Sequence, residues 1–255
     1  MRRAAALVAA ALLAGGCGGE DASGGSGGKP RLVVSAAASL KQAFTAYGRS
    51  FPSADARFSF AGSDELAAQI ERGVRPDVFA AANTKLPEEL FEAGLVGRPT
   101  VFAGNRLVLA VPADGGEVRS LRDLRSPGTA LAIGARAVPV GAYTRTVLER
   151  LPQAERAAIL ANVRSEEPDV AGIVGKLSQG AVDAGFVYVS DVRGAGGRLK
   201  AIELLAALQP DVAYGAAVVK GARHPAQARA FIEGLLSGDG RRALAAAGFE
   251  PPPPR

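Results

Sequence analysis

The chain is built on a regular alternation. Short apolar runs are followed by longer segments whose apolar residues recur every three or four positions. Runs such as 32–34 and 107–111 are too short for a helix and too apolar for a surface loop, so they read as strands buried on both faces. The pattern predicts further strands at 58–60, 77–81, 130–133, 185–189 and 212–219. It predicts helices at 39–51, 64–73, 87–94, 142–151, 154–161, 170–179, 226–236 and 241–247; residues 199–204 fit either extended or helical structure. Gly73 and Gly94 stand where helices stop, and Pro87 where one starts. Strands alternating with helices imply an α/β fold with mostly parallel sheets. No internal repeat stands out, and no linker divides the chain into independent domains.

The first residues lie outside this pattern. Arg2 and Arg3 precede an apolar stretch, 4–14, which has the length of a signal-peptide core and is too short to span a bilayer. Gly15-Gly16-Cys17 follows and resembles a bacterial lipobox, with Ala14 at a position where a larger aliphatic is usual. Cys17 is the chain's single cysteine, so it has no intramolecular disulfide partner, and lipidation accounts for its presence. The reading is a signal peptide at 1–16, then a lipidated Cys17 that opens a flexible Gly/Ser tether at 17–30. It makes the protein exported and held on the outer face of the cytoplasmic membrane through its lipid alone. About 220 residues then remain for the folded part, enough for one large domain or two lobes with real cores.

The formal net charge of +5 falls to +3 once Arg2 and Arg3 are removed. The positive residues are scattered and aromatics are few, so neither a basic stripe nor a stacking platform for nucleic acid is present. Catalysis is poorly provided for. The single histidine, His224, opens a late helix, and no Gly-x-Ser-x-Gly elbow surrounds Ser39 or Ser63, which leaves a hydrolase built on either serine as a distant alternative. One cysteine and one histidine without clustered carboxylates make no metal centre.

Helix starts carry the remaining chemistry. Ser39 sits at a strand-to-helix junction three residues before Gln42, the spacing of a capping box, so its plainest role is to cap its own helix. Helix N-termini also bind anions through unpaired N–H groups and the positive end of the dipole. Ser63, Val140 and Val170 stand at three further helix starts, and Tyr188 ends a strand. Spacing alone does not show whether these converge.

Seven runs in order do carry a resemblance: Val34-Ser35-Ala36-Ala37-Ala38-Ser39-Leu40, Phe60-Ala61-Gly62-Ser63-Asp64-Glu65-Leu66, Pro76-Asp77-Val78-Phe79-Ala80-Ala81, Gly104-Asn105-Arg106-Leu107-Val108-Leu109, Val138-Pro139-Val140-Gly141, Asp183-Ala184-Gly185-Phe186-Val187-Tyr188 and Tyr214-Gly215-Ala216-Ala217-Val218. Together they resemble the periplasmic molybdate-binding proteins of ABC transporters. The resemblance implies a type II periplasmic-binding-protein fold: lobe 1 from 31–111 plus 212–250, lobe 2 from 112–211, and a loose Pro-rich tail at 251–255. It further implies that the hydroxyls of Ser39, Ser63 and Tyr188 and the backbone N–H groups of Val140 and Val170 hold the oxygens of molybdate or tungstate, without direct metal ligation and without a cofactor. The partners it implies are an ABC permease with its ATPase subunits, for a monomeric binding protein that is not an enzyme. Asp64 beside Ser63 replaces a neutral residue common in such proteins and is expected to face outward; Asn83 replaces a frequent aspartate. Sulfate, ferric ion held by tyrosines such as Tyr143 and Tyr188, and small organic anions met by Arg106, Arg136 or Arg145 remain as alternative ligands.

Overall fold

The computed structural model describes residues 28–254, so the signal-peptide, Cys17 and most of the tether assignments fall outside the described residues. The tether's last residues already belong to the fold: the Pro30 carbonyl accepts the Asp55 N–H at 2.8 Å.

The first stretch runs β1 (Arg31–Ala37), a 3-10 turn (Ala38–Leu40), α1 (Lys41–Ser50), β2 (Asp55–Ala61), α2 (Ser63–Glu71), β3 (Val78–Ala81), α3 (Lys85–Glu92) and β4 (Thr100–Asn105). The chain then passes to β5 (Leu107–Pro112), β6 (Leu131–Gly134), α4 (Pro139–Glu149), α5 (Gln153–Ala161), β7 (Val163–Glu167), α6 (Val170–Ser178), β8 (Ala184–Tyr188), α7 (Val189–Gly194) and β9 (Leu199–Glu203). It returns through β10 (Val212–Val218) to α8 (Pro225–Leu236) and α9 (Gly238–Ala246).

These strands make two five-stranded sheets, ordered β2-β1-β3-β10-β4 and β7-β6-β8-β5-β9. The two orders follow the same scheme. In each, a strand that has just crossed from the other lobe, β10 or β5, sits in the fourth position. Both are antiparallel to their neighbours, whereas β1–β2, β1–β3, β6–β7 and β6–β8 are parallel. The sheets are therefore mixed, not mostly parallel. A parallel neighbour needs a helical crossover within its own lobe, and a strand arriving from the other lobe carries none, so it can enter in the opposite direction.

The outgoing crossing is also earlier than the sequence suggested. Leu107–Pro112 pairs with β8 and β9 in the second sheet, so the chain changes lobe at Arg106 rather than after Val111. Arg106 meets Glu203 of the second lobe and Glu250 of the first, both at 3.0 Å.

Alternation in β3 explains the first lobe's two cores. Val78 and Ala80 face α1 and α8, where Phe44, Tyr47, Phe51 and Phe231 pack ring to ring. Phe79 and Ala81 face α2 and α3, against Leu66, Ile70 and Leu90. A strand with both faces covered must read as an unbroken apolar run, which is why it was visible in the sequence. At the start of this strand the buried Asp77 accepts the backbone N–H groups of Val33 and His224, both at 2.8 Å, and so ties β1 and α8 to it. Pro251–Pro254 is exposed and irregular, but the preceding Glu250 exchanges two 2.9 Å backbone hydrogen bonds with Gly104 of β4.

Candidate functional site

Five segments end at one small cavity between the lobes. Ser39, Ser63, Val140, Val170 and Tyr188 all line it, together with Gly62, Ala82 and Asp169. Four of them follow the carboxyl ends of β1, β2, β6 and β7, and Tyr188 is the last residue of β8; this is the edge at which α/β sheets expose helix N-termini. All five expected residues are buried.

Ser39 does not cap its helix. It lies in the 3-10 turn ahead of α1 with no side-chain cap hydrogen bond, and its hydroxyl meets the Tyr214 hydroxyl at 3.0 Å. The Tyr214 hydroxyl also receives the Asn105 amide at 3.5 Å, and Asn105 donates to Ser190 of α7 at 2.8 Å. A chain of polar side chains therefore runs from the cavity to the crossover and into the second lobe. Ser63 is the first residue of α2, after Gly62. Its hydroxyl oxygen accepts the Ala82 N–H at 3.1 Å, which leaves its own proton free to be donated.

On the far side, Pro139 opens α4 without an N–H to lose, so Val140 brings one of the first-turn N–H groups that lack an intrahelical partner. Gly141 is required beside it, because a Cβ there would lie 2.0 Å from the Ala135 carbonyl oxygen. Val170 opens α6 after Asp169, whose carboxylate caps the helix by accepting the Gly172 N–H at 2.9 Å. Among the described residues, α2 and α4 carry no side-chain cap, so their first N–H groups and dipoles remain available.

Tyr188 completes the lining. Its hydroxyl is buried and has no hydrogen-bond partner among the described residues. Burial pushes its pKa well above the ordinary phenol value, as it does for Tyr214, and that of Tyr143 is pushed up to about 12. All three keep their protons at neutral pH, so Tyr188 is a donor. Just beyond it, Asp191 accepts the Tyr188 N–H at 2.9 Å, and burial raises its carboxyl to about 7.

The cavity lining holds no lysine or arginine among the described residues. Arg145 is engaged with the Gly134 and Gly141 carbonyls and with Glu166, and Arg106 with its two glutamates. Neither these nor Arg136, Tyr143 or His224 lines the cavity. His224 instead occupies the N-cap position of α8. No group of three or more His, Cys, Asp or Glu among the described residues is placed to hold a metal ion. Asp64 does not line the cavity, yet it is not turned fully to solvent either: its Oδ1 is buried without a partner among the described residues. Sequence reasoning assigned no role to Tyr214, Asn105, Gly62 or Asp169, although each stands inside or beside a run that it singled out.

Two lobes of one topology, exchanged strands and a small donor-lined cavity at the strand ends between them define a solute-binding protein of the two-lobed kind. A family model for bacterial extracellular solute-binding proteins matches residues 32–250, and the chain belongs to that family. The molybdate-binding protein ModA of Mycobacterium tuberculosis is 37% identical over 227 residues, covering 87% of this chain and 85% of that protein. The fold is shared with the periplasmic molybdate-binding protein of Azotobacter vinelandii (TM-score 0.78, 21% identity, 87% of this chain and 100% of that one). It is also shared with the sulfate-binding protein SubI of Mycobacterium tuberculosis (TM-score 0.74, 16% identity, 87% of each chain).

Proposed function

We propose that this protein captures molybdate, or the isosteric tungstate, outside the cytoplasm and delivers it to an ABC importer. The observation that carries the reading is the cavity lining: three protonated hydroxyls and uncapped helix N-termini, drawn from both lobes, with no cation. A tetrahedral dianion offers acceptors in every direction. Neutral, fixed donors satisfy it without a buried countercharge, and each charge-assisted hydrogen bond contributes about 1.5–3 kcal/mol. Ser39, Ser63 and Tyr188 donate through their hydroxyls and Val140 and Val170 through their backbones. The ligand's metal atom is reached only through its oxygens.

The ferric alternative needs several anionic side chains converging on one point, and of Tyr143 and Tyr188 only Tyr188 lines the cavity. A carboxylate ligand of the amino-acid type needs an arginine in the cavity. A hydrolase needs a base beside Ser39 or Ser63, and His224 is not in the lining. In this reading the protein is a binding partner rather than an enzyme: a monomer, tethered through lipidated Cys17, that closes on its anion and presents it to a permease with its ATPase subunits.

The test is calorimetric and thermal titration of the chain from Gly18 onward with molybdate, tungstate, sulfate, phosphate, ferric ion and an amino-acid mixture. Molybdate and tungstate are expected to bind best, and a ligand at 100 times its Kd adds about 2.7 kcal/mol of stability. Stabilisation by ferric ion or amino acids without any by molybdate or tungstate refutes the reading. Sulfate as the tightest ligand reassigns the anion.

A further inference from the structure

We infer that Gly62 is the residue that sets how far the two lobes close on the anion. The inference deepens the proposed anion-binding reading and rests on it. Gly62 lines the cavity as the N-cap of α2, with φ −58° and ψ 138°. That conformation is open to any L-residue, so the backbone does not demand glycine. Space does. A Cβ at this position would lie 2.5 Å from the Pro168 carbonyl oxygen and 3.4 Å from Val138 Cγ1, and both of those residues precede helices of the second lobe. The third neighbour, Asp64 Oδ1 at 2.9 Å, ends a side chain of Gly62's own lobe and can swing away. The Pro168 carbonyl is main chain and cannot. The seam at Gly62 therefore joins the start of α2 to the segments that lead into α4 and α6, the same segments that carry Val140 and Val170.

A methyl group here holds the lobes apart while leaving each lobe intact. Hydrogen bonds to the anion from Ser39 and Ser63 survive, and those from the second lobe lengthen. Losing one charge-assisted hydrogen bond costs about 10- to 100-fold in affinity. The loss should appear mainly in the dissociation rate, because a lobe that cannot shut no longer traps its ligand.

The experiment compares Gly62→Ala and Gly62→Ser with the parent chain from Gly18 and with Gly175→Ala as control. Gly175 lies in α6, and a Cβ there meets nothing within 4 Å. Calorimetry with molybdate, denaturant unfolding without ligand and small-angle scattering with and without ligand are read together. The expected result is a 10- to 100-fold weaker molybdate affinity and a reduced ligand-induced compaction for both Gly62 variants, an unfolding midpoint no lower than the parent's, and normal binding by Gly175→Ala. Parent-like affinity and compaction in Gly62→Ala overturn the inference, as does a fall of its ligand-free midpoint, which would make Gly62 a structural residue of its own lobe. If the parent binds neither molybdate nor tungstate, the reading of the anion fails instead. Scattering then still judges Gly62 by whether its variants are more open than the parent.

Discussion

Replacing Tyr188 with phenylalanine separates folding from binding, because the two responses carry opposite signs. The Tyr188 hydroxyl is buried and unpartnered among the described residues, so it contributes no internal hydrogen bond to the fold. Its ring does contribute, packing edge-on against Tyr143 at 6.4 Å and Tyr214 at 6.0 Å between centroids, and phenylalanine preserves that packing. A buried polar group left unsatisfied costs about 1–3 kcal/mol, so removing it leaves the ligand-free protein as stable or more stable. For a domain of this size each kcal/mol moves the midpoint by about 2–4 °C. Binding moves the other way. The hydroxyl is one of the donors assigned to the anion, and losing it is expected to weaken molybdate affinity by about 10- to 100-fold. Thermal unfolding without ligand and calorimetry with molybdate measure the two sides on the same preparation. Unchanged affinity, or a midpoint lowered by several degrees, refutes the donor assignment, since either result means that the hydroxyl serves the fold rather than the ligand.

Ser39→Ala and Ser63→Ala are both expected to weaken anion binding at least tenfold. Each also breaks a buried hydrogen bond, that between the Ser39 and Tyr214 hydroxyls or that from the Ala82 N–H to Ser63, and costs about 1–3 kcal/mol of stability, which denaturant titration can read. Parent-like stability of Ser63→Ala contradicts the Ser63 geometry. Asp191 makes the fold pH-dependent. Its carboxyl is raised from the ordinary 3.8 to about 7, so the folded state holds a proton that the unfolded chain has released. Stability is therefore full below the ordinary carboxylate range and declines as pH rises towards 7, by up to about 4 kcal/mol in total. Asp191→Asn keeps an acceptor for the Tyr188 N–H and removes the ionisation. It should flatten the profile between pH 4 and 7 and be the more stable protein at pH 8; parallel profiles for the two chains would argue against a buried, titrating Asp191.

What could be read from the sequence follows from burial. The strand at 78–81 and the strand at 107–112 are covered on both faces and announce themselves as apolar runs. The strand at 163–167, Val-Arg-Ser-Glu-Glu, is an edge strand with a half-exposed face, and its charges hide it. The strand ending in Gly104-Asn105 and the six-residue helix at 189–194 were missed for related reasons, small and polar residues in one and shortness in the other. The matching strand order of the two sheets left no sequence repeat, because backbone topology is shared while the side chains filling each lobe are not. Within the site, the cavity-facing hydroxyls were recoverable because runs of small residues surround them. Tyr214 behind Ser39 and the space around Gly62 depend on contacts between distant segments, which local patterns do not encode.

The position of β10 has a temporal consequence. It fills the slot between β3 and β4, more than a hundred residues after either was made. A nascent chain that stops short of Val212 has two strand edges with nothing between them and lacks Phe231, the ring against which Phe44, Tyr47 and Phe51 all pack. The first lobe cannot finish before the second has been synthesised. Such long-range closure is slow. For a protein whose place is outside the cytoplasm, slowness at this step keeps the polypeptide threadable until nearly all of it exists.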